Sequence, residues 1–88
     1  MNVAANEYNM GAMYFSRAKR AADTHDLDRN VANLELALQS YREADRIFRA
    51  INAVNDANDA ARQGDRMEEL LRLVANIMSS SGADVTEG

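Results

Sequence analysis

Between Leu27 and Val54 the chain carries no Gly and no Pro, and its apolar residues form two separate stripes on one helix. Val31, Leu34, Leu38, Tyr41 and Phe48 recur at helical steps, and at about 100° per residue they share one face. Leu36, Ile47 and Val54 align with one another on a second face, roughly 120–140° further around. One antiparallel neighbour covers only the first stripe. The second calls for a third helix, a second copy of the chain or a different protein.

Length sharpens that demand. Eighty-eight residues make a single domain that buries roughly 60–65% of its unfolded surface. A core of that size seldom supplies more than about 3–5 kcal/mol unless disulfides, a metal or association add to it. The chain has no Cys, which removes disulfides and thiolate metal sites, and its one His removes a multi-histidine site within one copy. Association with itself or with another protein is the remaining route.

The formal net charge of −4 disfavours nucleic acid, because phosphate contacts need a positive field. The cations are nonetheless lopsided: all are Arg except Lys19. Arg is the better residue for bidentate contacts with carboxylates and for stacking on rings. The segment Met1-Asn2-Val3-Ala4-Ala5-Asn6-Glu7 lacks the basic stretch and apolar run of a secretory signal. No stretch reaches the roughly 18 apolar residues of a membrane span. The cytoplasm is the expected location, and a signal-less secreted subunit has the same composition.

The spacing predicts three helices. The first covers about residues 3–22, with Asn2 as cap and a seam of Ala4, Tyr8, Gly11, Phe15, Ala18 and Ala22. Small residues in that seam let a neighbouring backbone approach at Gly11 and Ala18. Asp23-Thr24-His25-Asp26 reads as a turn, with Thr24 or Asp26 capping the second helix. The second helix starts at Leu27 and ends either near Val54 or at about Gln63. Asn52, Asn55, Asp56, Asn58 and Asp59 compete for the backbone, whereas Ile51, Val54, Ala57 and Ala61 keep a helical rhythm. Gly64 reads as a stop, and Asp65 with Glu68 matches a capping pair for a third helix over 65–78. A flexible tail is expected over 79–88.

Three fragments resemble tetratricopeptide-type helical repeats. Met10-Gly11 followed by Tyr14 is similar to the start of the repeat's first helix. Ala37, Tyr41 and Ala44 match the small-aromatic-small spacing of its second helix. Gln63-Gly64-Asp65, followed by Glu68 and Leu70, is similar to the turn between the two. The chain departs from the pattern in that 22 residues separate Tyr14 from Ala37, where the family has eight, and no Pro closes a repeat. The resemblance implies helical hairpins stacked through small residues and a protein-binding, non-catalytic role.

Few residues invite chemistry. His25 has neither a Cys nor a second His near it and reads as a surface turn residue. Asp56, Asp59 and Asp65 lack the spacing of a calcium loop. No phosphate loop, nucleophile elbow or paired-carboxylate motif is present. Met10, Met13 and Tyr14 read as core filling beside the seam, with an adaptable recognition patch as the alternative. Arg42, Arg46 and Arg49 form a stripe about 60° wide that reads either as a site for an acidic partner or as a solvated face paired with Glu35, Glu43 and Asp45.

The expected fold is all-α: an antiparallel hairpin with a third helix. The expected function is a non-catalytic protein–protein interaction module, such as a small adaptor, a chaperone-like subunit or an inhibitor of a larger protein. Candidate partner-binding residues are Leu36, Ile47, Val54, Arg42, Arg46 and Arg49. The alternatives are a self-assembling structural subunit of a helical oligomer or secretion apparatus and, more weakly, a nucleic-acid-associated regulator. No catalytic residue, metal, cofactor, small-molecule substrate or membrane contact is expected.

Overall fold

The structure is a computed structural model that describes the backbone of residues 3–87 and the side chains of residues 3–79. It contains three helices: α1 (Val3–Asp23), α2 (Leu27–Ala50) and α3 (Val54–Glu87). The expected all-α hairpin with a third helix is what forms. Helix α2 is the central element, since α1 and α3 both pack along it. The Asn2 cap lies outside the described residues, as do the side chains from Ser80 on; the backbone of the expected tail is helical to Glu87, so α3 runs past the expected end at residue 78.

Helices α1 and α2 both end on the same device. His25 (φ 61°) and Asn52 (φ 63°) take the left-handed conformation. After α1, Asp26 N–H donates to the Ala21 carbonyl at 2.8 Å and His25 N–H to Ala22 at 3.0 Å. After α2, Ala53 N–H donates to Phe48 at 2.8 Å and Asn52 N–H to Arg49 at 3.2 Å. These paired bonds satisfy carbonyls that a helix end leaves unmatched, in the Schellman arrangement. The new helices then start cleanly. The Asp26 carboxylate accepts from Arg29 N–H at 3.2 Å, which settles the choice of cap in favour of Asp26 over Thr24.

This corrects the expected boundaries. The chain turns at Ile51–Ala53, so α2 does not continue to Gln63, and the third helix begins at Val54 rather than at Asp65. Gly64 lies inside α3 and ends nothing. Asp65 and Glu68, which match a capping pair in sequence, both accept hydrogen bonds from Arg42 of α2 instead. The turn-like fragment of the repeat resemblance therefore sits in mid-helix. Asn prevails at position 52 because its short polar side chain tolerates the left-handed region, and because Ala53 then packs against the core beside Phe48.

The core has two parts along α2. One gathers Ala4, Ala44, Phe48, Ala57 and Ala60, with Tyr8, Ile47 and Ala53 packed against it. The other gathers Ala18, Leu34, Ala37, Tyr41 and Met67, with Phe15, Leu38, Leu70, Leu71 and Val74 against it. Alanines dominate the buried set, and side chains this small let helices pack closely. Of the expected α1 seam, Ala4, Gly11 and Ala18 are buried and Tyr8 and Phe15 half-buried, but Ala22 is exposed and Ala21 takes its place.

Tyr8 ties the two parts together. Its ring meets that of Tyr41 edge-on, with centroids 5.2 Å apart, and its hydroxyl donates to Asp59 of α3 at 2.6 Å. That bond, followed by burial, pushes the Tyr8 phenol up to about 12 from an ordinary 10.0. The folded state thus favours the protonated phenol. Its contribution to stability is complete below pH 10.0 and disappears as pH rises to about 12. Denaturant melts of the wild type and Tyr8→Phe should therefore differ by a constant amount at neutral pH, and the gap should shrink through this alkaline window. A gap independent of pH would show that the Tyr8–Asp59 bond does not persist in solution.

Candidate functional site

Two surface depressions are bordered by exposed large apolar side chains, while the exposed Val3, Ile51 and Val54 line neither. The first lies on the outer side of α2. Met10 and Tyr14 of α1, Leu36 and Leu38 of α2, and the charged side chains of Arg42, Glu43, Arg46 and Glu68 border a shallow depression of about 850 Å³. Met10, Met13 and Leu36 are each about 40% exposed, so the two methionines are not the core filling expected of them. Their position against Gly11 explains this: Gly11 is buried on the α2-facing side, and the methionines flank it on the outside. Leu36, Arg42 and Arg46 are the expected partner-binding residues that the fold brings together here.

The other three fall elsewhere. Val54 is not on α2 at all; it opens α3 and is 53% exposed. Ile47 is half-buried against the Phe48 part of the core, so it belongs at least partly to the intramolecular packing. The continuous second stripe of Leu36, Ile47 and Val54 does not exist as one helix face, because Asn52 turns the chain first. Arg49 pairs with Asp45 one turn back, at 2.8 Å.

The Arg stripe is internally paired. Arg42 bridges to Asp65 at 2.9 Å and to Glu68, linking α2 to α3. Arg46 pairs with Glu43, whose carboxyl is held below its ordinary range by the guanidinium that donates to it. These pairs are mostly solvent-exposed, where an ion pair is worth little. They leave the stripe as a polar rim beside Leu36 rather than as bare positive charge.

The second surface is a groove between α1 and α3, where those helices lie either side of α2. Phe15, Ala18 and Ala22 form one wall, and Leu70, Val74 and Ile77 the other. Leu27, Asn30 and Leu34 of α2 complete it, around a volume of about 280 Å³. Ile77 is 56% exposed. Leu73, one turn before it on the same side of α3, is also exposed. The buried Asn30 amide donates to the Ala18 carbonyl at 2.8 Å, while its own oxygen has no partner. Leu70, Val74 and Ile77 recur at helical steps and so share one face of α3. The groove itself is not legible in that spacing, because nothing in the pattern says that α1 faces that side with Ala18 and Ala22.

His25 is confirmed in the turn, exposed and in the left-handed conformation. Asp59 and Asp65 are engaged by Tyr8 and Arg42. Among the described residues no cluster of His, Asp and Glu is placed to hold a metal ion, and no helix is long and apolar enough to cross a membrane. Comparison with protein families, with curated proteins and with solved structures found no match for this chain.

Proposed function

We propose that this chain is a non-catalytic protein–protein interaction module, an adaptor, chaperone-like subunit or inhibitor acting in the cytoplasm. The observation that carries the reading is the grouping of exposed apolar side chains. Met10 and Leu36 border the outer depression, and Leu27 and Ile77 border the α1–α3 groove, with Met13 and Leu73 exposed on the same helices. Contiguous apolar surface with a charged rim is the usual form of a protein-binding patch, whereas scattered apolar residues carry no such meaning. The Arg42–Glu68 and Arg46–Glu43 pairs supply the rim of the first patch.

Affinity capture with the wild type, Leu36→Asp and Ile77→Asp tests this reading. Both positions are at least 40% exposed, so the variants should keep their helicity by circular dichroism. A partner, or a second copy, held by the wild type and lost by one of the variants supports the module. A chain that captures nothing and sediments as a monomer at every concentration refutes it.

A further inference from the structure

We propose that the groove between α1 and α3 binds an amphipathic helix of a partner protein, one that carries carboxylates beside its apolar stripe. The proposal rests on the interaction-module reading and names the chemistry of the partner.

The shape of the groove selects a helix. Its walls are side chains of two helices, Phe15, Ala18 and Ala22 facing Leu70, Val74 and Ile77, each set at helical spacing. Alanines on one wall leave a recess between long side chains on the other. Helix walls offer no free backbone donors or acceptors, so an extended peptide laid there would lose its own backbone hydrogen bonds to water. A helix satisfies its backbone internally and needs to bury only its apolar stripe.

The charge around the groove selects carboxylates. Arg29, Arg42, Arg46, Arg49, Arg62 and Arg72 each stand within 4 Å of an acidic side chain of this chain. Arg17, Lys19, Arg20 and Arg66 have no such partner among the described residues. Two of these, Lys19 of α1 and Arg66 of α3, stand against the Phe15 ring that forms part of the α1 wall. The Lys19 ammonium lies 4.7 Å from the centroid of the Phe15 ring, and the Arg66 guanidinium lies 5.5 Å from the same centroid. In a protein of net charge −4, whose other cations mostly have carboxylates at hand, two cations with no carboxylate partner beside the ring of an apolar groove are the local exception. An acidic helix seated in the groove gains ion pairs with them and buries Phe15 and Ile77 beneath it. A helix with basic flanks would meet like charge there.

Two synthetic helical peptides provide the test. Both carry leucines at positions i, i+4 and i+7; one has glutamates beside that stripe and the other lysines. Each is labelled and titrated with the full chain by fluorescence polarisation. The glutamate peptide should bind at least roughly tenfold more tightly than the lysine peptide, and added salt should weaken it. Ile77→Asp should weaken the glutamate peptide by a similar factor. The double variant Lys19→Glu, Arg66→Glu should invert the preference of the two peptides.

Equal binding of the two peptides, or a preference that survives the double reversal, overturns the proposal. So does Ile77→Asp turning a self-associated wild type into a monomer without affecting peptide, which would make a second copy the occupant. If capture of a partner depends on Leu36 while neither peptide binds, the groove proposal fails and the interaction module stands. If there is no partner, no association and no peptide binding, both fail.

Discussion

Phe48→Ala is expected to destabilise the protein by about 3–5 kcal/mol, the range for removing a buried Phe. Phe48 is 6% exposed and, among the described residues, is the only large side chain among the buried members of its part of the core; Ala4, Ala44, Ala57 and Ala60 are the others. Alanines have no rotamers with which to fill a void, so the cavity would persist unless the helices moved closer. The ring also stands where the chain turns, since Ala53 donates to the Phe48 carbonyl and packs against the same cluster. Loss of the ring therefore weakens the anchoring of α3 to α2 as well as the core itself. Denaturant melts followed by circular dichroism measure the change. A loss under about 1 kcal/mol would show that these elements are not packed as described.

Phe48 was legible in the sequence because it belongs to a stripe. Leu34, Tyr41 and Phe48 are buried as the helical spacing requires, with Val31 and Leu38 half-buried at its edge. Periodicity reports a face reliably wherever one helix runs unbroken past a neighbour. It fails at the end of α2 for a specific reason. Ile51, Val54 and Ala57 continue the helical rhythm by coincidence: Ile51 and Val54 are exposed, and of the three Ala57 alone joins the buried face of α3. The stop is made by one residue, Asn52, in a conformation that several residues of that segment tolerate. Gly64 looks like the better stop from composition alone, yet its lack of a side chain serves packing against Arg42. The candidate site was legible to the extent that Leu36, Arg42 and Arg46 lie on one stretch of α2. The α1–α3 groove was not, because it depends on which side of α2 each outer helix takes, and that is set by contacts between residues far apart in sequence.

Gly11 and Gly64, each inside a helix, should respond in opposite directions. A Cβ at Gly11 would lie 2.9 Å from the Tyr41 ring atoms Cδ1 and Cε1. That ring is 3% exposed, packed with Ala18, Leu34, Ala37 and Met67, and met edge-on by Tyr8. It has nowhere to retreat without pushing α1 and α2 apart. Gly11→Val is therefore expected to cost about 1–3 kcal/mol, the usual penalty for overfilling a packed core. At Gly64 the nearest atoms to a new Cβ are the Arg42 guanidinium carbon and nitrogens, at 3.1–3.2 Å. That group is the far end of a flexible side chain, and a few tenths of an ångström of movement relieves the contact. Replacing Gly by Ala inside a helix returns about 1 kcal/mol of propensity, while the partly exposed Arg42 pairs it disturbs are worth about 0–1 kcal/mol. Gly64→Ala should therefore leave stability unchanged or raise it slightly. Both sites are mid-helix glycines facing α2, and an added Cβ meets a fixed ring at one and a mobile cation at the other. Melts showing Gly64→Ala to be the more damaging substitution would place the close helix approach at Arg42 rather than at Tyr41, and would overturn the packing of α1 on α2.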